Sequence, residues 1–149
     1  MTLDDARRLH ALGLNVIALQ PRSKEPDCKW KQYQEHRTTT DDLSHWFTTD
    51  RNAGIVLGAT SNDVVVVESD TPEAEAWCAA NLPRTPMATQ SARGFHRYYR
   101  RPAIDQIPAF IYTPSGLEIE VKREGQYVVA PGSIHPLSLI HISEPTRPY

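Results

Sequence analysis

Hydrophobic positions in this chain fall into short dense runs, separated by polar stretches rich in proline and turn-forming residues. The densest, Val64 to Val67 within "DVVVVESD", is β-branched and bounded by turn signals, the pattern of a strand buried on both faces. Upstream, Thr2 and Asp5 form a capping-box pattern and Gly13 a stop, which predicts a helix over Leu3 to Leu12. A short strand over Asn15 to Leu19 follows, then a long polar, proline-bearing loop with a turn of helix through Arg37. Thr40 is the expected cap of a short helix over Asp41 to Phe47, with its acids in the first turn.

The run Gly54 to Gly58 is expected to form a hairpin with the valine strand across "ATSN". Thr71 and Pro72 open a helix to about Leu82, with Pro72 at its first position. A strand over Met87 to Ser91, a tight turn at "ARG" and a return strand "FHRYYR" come next. Last, "LEIEVK" and "QYVVA" read as a second hairpin across "REG". Strands outnumber helices and alternate with them irregularly, so the class is α+β: a largely antiparallel sheet with flanking helices.

Candidate chemistry sits at strand ends. Strand side chains alternate, so Glu68 and Asp70 point the same way, their Cα atoms roughly 6.5 Å apart. Such a pair is either a helix cap with a neighbour or half of a divalent-metal site, since hard cations take carboxylate oxygens together with substrate phosphates. Glu118 and Glu120 alternate in the same manner, as a polar strand face or as a source of a third acid. In "SARGFHRYYR", Gly94 allows close backbone approach to a ligand, and His96 lies among Arg93, Arg97, Arg100 and Arg101. Like charge disfavours a cation there, so the segment suits a triphosphate or a nucleic-acid backbone, or is simply a solvated hairpin. Ser133 and His135 follow a buried strand, but without a nucleophile elbow they make a weak hydrolase signal.

Length and charge narrow this picture. The 149 residues suffice for one domain with a real core. A net charge of -2 argues against coating nucleic acid by bulk charge but leaves room for a local basic groove. Cys28 and Cys78 stand alone, giving neither a disulfide framework nor a zinc site. No apolar run has the length of a membrane span and no signal peptide is visible, so a cytoplasmic setting is expected. The segment from Leu137 to Tyr149 has no clear periodicity, and within it Leu137 to Arg147 resembles translated sequencing adapter, the alternative being a natural disordered tail. It is set apart as a non-native tail, with one domain expected over 1–136 and truncated at its C-terminal end.

In this order, an acid-x-acid pair ending a strand, a small-x-His turn and a hydrophobic-acid-hydrophobic strand resemble the three motifs of archaeo-eukaryotic primases. More closely, "ARRLHALGLNVIAL", "PRSKEP", "NAGIVLG", "VVVVESD", "TQSARGFHRYY" and "IEVKREGQYVVAPGSIHP" resemble successive blocks of the primase–polymerase domain of plasmid and phage replication proteins, from Ala6 to Pro136. The resemblance implies an RRM-like catalytic core and template-directed nucleotidyl transfer. It places Glu68, Asp70 and Glu120 as catalytic acids holding Mg²⁺ or Mn²⁺, with Glu68 where the family often has aspartate. His96 falls on the nucleotide-contacting histidine, with Arg93, Lys122, Ser133 and His135 as further nucleotide contacts. Implied partners are a single-stranded DNA template, NTP or dNTP, and a helicase as a C-terminal domain or separate protein. The rival reading is a non-catalytic replication initiator or nucleotide- or single-strand-binding module of the same fold. A metal-dependent nuclease could also use three acids, but the resemblance disfavours it.

Overall fold

The structure, a computed structural model, describes residues 1–90 and 94–133. Arg93, His135 and the segment 137–149 lie outside the described residues. Helix α1 (Leu3–Ala11) starts on the expected capping box: the Thr2 hydroxyl accepts from the Asp5 amide at 3.2 Å, and the Asp5 carboxylate accepts from the Thr2 amide at 3.2 Å. It ends at Leu12 and Gly13. Gly13 has a φ of +94°, and a Cβ there would lie 2.2 Å from Asn62 Nδ2, so both backbone and neighbour require glycine.

Helix α2 (Thr40–Trp46) begins one residue earlier than expected. Its cap is Thr39, because Asp42 lies three residues on and its carboxylate accepts from the Thr39 amide at 2.8 Å. Thr40 has Leu43 rather than an acid at the reciprocal position, and Thr38, although Asp41 follows it at that spacing, is engaged by Asn15, whose Oδ1 accepts from the Thr38 amide at 2.8 Å and from its hydroxyl at 3.1 Å. Helix α3 (Pro72–Asn81) is capped by Thr71 and has Pro72 in its first turn, as read from the sequence.

The strands form two antiparallel sheets. β1 (Asn15–Ala18), β2 (Ala53–Val56) and β8 (Tyr127–Val129) make one, in the order β1-β2-β8. β3 (Val64–Ser69), β4 (Ala88–Gln90), β5 (Phe95–Arg100), β6 (Phe110–Tyr112) and β7 (Glu118–Lys122) make the other, in the order β4-β5-β3-β7-β6. The α+β class and antiparallel pairing agree with the expectation; both hairpins involving β2 and β8 do not. β2 leads to β3 through Gly58, Asn62 and Asp63, all at positive φ, and only a single bridge, Gly58 to Val64, remains of the expected pairing. A strand has two edges, and β3 gives both to β5 and β7. β8 likewise leaves β7 after its turn and pairs with β2.

This sharing of edges makes β3 the centre of the larger sheet and buries its valines on both sides. Val64 and Val66 join Leu9, Leu14, Ile55, Leu57, Met87 and Tyr98 in the main core, where α1 and α2 also pack. Val67 faces the other way, onto Ala74 and Cys78 of α3 together with Ile119 and Val121. The valine pattern thus supplies two cores, and the polar end of the same strand emerges between them.

Candidate metal and nucleotide site

Directly paired residues of neighbouring strands share a sheet face. His96 pairs with Glu68, and Glu68 with Glu120. Thr89 pairs with His96 and Phe110 with Glu120, so one straight row, Thr89–His96–Glu68–Glu120–Phe110, crosses every strand of the larger sheet. Two carboxylates directly opposite each other are destabilising in a sheet. Here the two acids also stand beside a histidine, which makes the cluster a candidate site.

Asp70 completes the group. It lies just past the end of β3, where the helix cap is taken by the Thr71 hydroxyl, accepting from the Ala74 amide at 3.1 Å. The cap of α3 therefore does not use the Asp70 carboxylate. Donor atoms of Glu68, Asp70 and His96 all lie within 4.8 Å of one another, a group that could hold a metal ion. His96 Nε2 is 3.8 Å from Glu68 Oε1. The sequence reading placed His96 outside the metal ligands and Glu120 among them. In the structure His96 stands with the acids, while Glu120 is bound by Lys122, whose Nζ is 2.7 Å from its Oε1.

The choice of Glu120 over Glu118 has a geometric basis. Both lie on the site face, but Glu120 is opposite Glu68, whereas Glu118 pairs with Tyr112 and is exposed. Electrostatics converge on Glu68. Burial pushes its carboxyl up to about 7, with Glu120 and Asp70 adding to the rise and Lys122 and Lys24 opposing it. Burial works against the charge on Lys122, yet its hydrogen bond to Glu120 and the fields of Glu68 and Asp70 raise it overall. A buried carboxyl crowded by acids is a place where a cation would be stabilising.

Two members of this environment were not singled out in the sequence. Lys24, from the "PRSKEP" loop, reaches Glu68 electrostatically across a gap in sequence that no local pattern spans. Tyr98 is fully buried and its hydroxyl has no hydrogen-bond partner among the described residues. Burial and the charge of Glu68 push it far above its ordinary range. Its position two residues from His96, on the same strand face, was the available signal.

The remaining candidates are placed differently. Ser133 is fully buried and clamps β2: its hydroxyl accepts from the Ala53 amide at 3.0 Å and donates to the Ala53 carbonyl at 3.3 Å. It is not brought to the acids. Arg97 turns to the opposite face, where its guanidinium grips the Glu75 carboxylate, and Ser69 Oγ donates to the same group. Arg101 donates to the carbonyls of Pro102, Ile104 and Asp105. Among the described residues of the basic hairpin, Arg97 and Arg101 are therefore engaged by the protein itself. Gly94 does admit close approach, but to protein: a Cβ there would lie 1.8 Å from the Ser69 carbonyl oxygen. The missing side chain lets the start of β5, and with it His96, lie close against the end of β3.

Two carboxylates, an imidazole and two lysines at a sheet end can bind a divalent ion and neutralise phosphate. No helix among the described residues is long and apolar enough to cross a membrane. No curated protein matches the chain. A family model described as bifunctional DNA primase/polymerase, N-terminal, matches residues 6–148, a span that also runs through the segment set apart as a tail. With that match over nearly its whole length and an antiparallel α+β fold consistent with a primase-type domain, the chain belongs to the bifunctional DNA primase/polymerase N-terminal family.

Proposed function

We propose that this domain performs metal-dependent, template-directed nucleotidyl transfer, making a primer or DNA strand in the replication of a plasmid, phage or other mobile element. The observation that carries the reading is the meeting of Glu68, Asp70 and His96 at the end of β3, in a chain of this family. Glu68 and Asp70 would hold Mg²⁺ or Mn²⁺ together with phosphate oxygens of the substrate. An imidazole in the same group shifts the preference towards a transition ion such as Mn²⁺, because Mg²⁺ demands oxygen ligands. When bound, such an ion draws charge from the triphosphate and activates the attacking 3′ hydroxyl.

The protein's own contribution is positioning and charge. Glu68 releases its proton to take up the ion, and Lys122 and Lys24 supply positive charge beside the acids, where phosphate oxygens lie once the nucleotide is seated. His96 either joins the acids as a ligand, which its place in the group supports, or contacts the nucleotide, which the family resemblance supports. Arg93 and His135 remain proposed nucleotide contacts.

With single-stranded DNA, nucleotides and Mg²⁺ or Mn²⁺, the protein is expected to extend or begin a strand. Asp70→Ala is expected to abolish incorporation while leaving the melting temperature unchanged or higher, since one of several crowded like charges is gone. If that variant incorporates nucleotides as well as the parent, the metal assignment fails. One observation favours the non-catalytic binding module instead: Glu120 is paired with Lys122 and is not among the residues whose donor atoms converge. That reading predicts nucleotide or single-strand binding without incorporation under any metal.

A further inference from the structure

β6 carries a second surface on the same face. Its central residue, Ile111, packs into the cluster under α3, which fixes the strand and turns its two neighbours outward. Those neighbours are aromatic and solvent-facing: Phe110 is 38% exposed and Tyr112 68%. Their ring centroids lie 6.1 Å apart with planes tilted by 37°, so they form one local aromatic surface. Phe110 pairs with Glu120, the last step of the row through Glu68 and His96, and Tyr112 pairs with Glu118. The rings therefore rise from the sheet face that bears the acids. At ~4.8 Å per strand, Phe110 is about 10 Å from Glu68. That is comparable with the reach from a nucleotide's phosphate to the far edge of its base.

We propose that Phe110 and Tyr112 are a stacking platform for a base of the single-stranded DNA that enters the site. The proposal rests on the nucleotidyl-transfer reading for its direction. The row from Glu68 through Glu120 ends on β6, so a strand that reaches the acids along this sheet face passes over Phe110 and Tyr112. Charge supports a base rather than a phosphodiester at this point, because Glu118 stands beside Tyr112 and repels phosphate. Stacking needs only a π-face, so the platform is indifferent to base identity, as a template-reading enzyme requires of its strand contacts.

The test is binding of a fluorescently labelled deoxythymidine oligonucleotide by anisotropy, in EDTA and without nucleotides, so that neither metal nor catalysis contributes. Phe110→Ala and Tyr112→Ala are each expected to weaken binding roughly tenfold. Tyr112→Trp should retain affinity, an oligonucleotide with abasic sites should bind the parent as weakly as the alanine variants bind the intact one, and the salt dependence should keep its slope. Circular dichroism should be unchanged for both; Tyr112→Ala, at a residue 68% exposed, should keep the parent's melting temperature, and Phe110→Ala, at a residue 38% exposed, should lower it slightly. Alanine variants that bind within twofold of the parent, or a parent that does not bind the oligonucleotide, overturn the platform. A parent dimer that Tyr112→Ala converts to monomer overturns it too, assigning the rings to a second copy. If binding depends on the rings but the parent incorporates no nucleotide, the nucleotidyl-transfer reading fails and the platform stands. If incorporation is robust and the rings are dispensable for binding, the reverse holds.

Discussion

Replacing Glu68 by glutamine should make the metal-free protein more stable at neutral pH, and the amount can be worked out. The folded protein holds the Glu68 proton up to about pH 7, whereas an exposed glutamate releases it near 4.5. Below 4.5 the carboxyl is neutral in both states and contributes no difference. Between 4.5 and 7 the unfolded chain ionises freely while the folded chain keeps its proton, so stability falls as pH rises. Above 7 the full cost of a buried, crowded carboxylate is present, roughly 3 kcal/mol at ~1.4 kcal/mol per pH unit. Glutamine keeps the shape and lacks the charge. Melting curves of parent and Glu68→Gln in EDTA, from pH 4.5 to 8.5, should therefore diverge with rising pH. For a chain of this size the gap at the top should reach roughly 6–12 °C, at about 2–4 °C per kcal/mol. The difference between the two proteins cancels titrating groups remote from Glu68, while Lys122, whose charge Glu68 supports, responds to the substitution as well. Saturating Mn²⁺ at pH 8 should then stabilise the parent, by about 2.7 kcal/mol at a hundredfold excess over the dissociation constant, and leave the variant unmoved. A pH-independent difference, or a glutamine variant less stable at pH 8, would refute the burial argument; equal metal responses would refute the ligand assignment.

His96→Ala should raise the apparent KM for nucleotide and also slow turnover in steady-state kinetics, and an unchanged KM with lower kcat would place His96 on the metal alone. Gly94→Ala must move a Cβ away from the Ser69 carbonyl, which should cost about 1–3 kcal/mol in denaturant titrations and loosen Mn²⁺ binding by displacing His96; a neutral result would mean the β3–β5 contact does not position the site. Ending the chain after Pro136 should leave the melting temperature and the Mn²⁺ affinity unchanged, and a loss of either would make the segment 137–149 part of the domain.

Legibility followed the range of the interaction. The capping box of α1, the Thr71–Pro72 start of α3 and the buried valine strand depend on residues within a few positions of each other, and periodicity and hydrogen-bonding chemistry expose them directly. The acids were visible for the same reason, since alternation along a strand puts Glu68 and Asp70 on one side without knowledge of the neighbours. Pairing of strands was not local. Gly54 to Gly58 and the valine strand look like a hairpin because they are adjacent in sequence, but β3 binds β5 and β7 because those strands cover both its edges and let both valine faces be buried.

That tertiary choice also distributed the polar residues. It set Glu120 rather than Glu118 opposite Glu68, turned Arg97 to the Glu75 side, drew Lys24 in from a distant loop and buried Ser133 against Ala53. Residue type states what a side chain can bind. Which partner it meets depends on strand order and sheet face, and those are decided by burying the apolar surface of the whole chain at once.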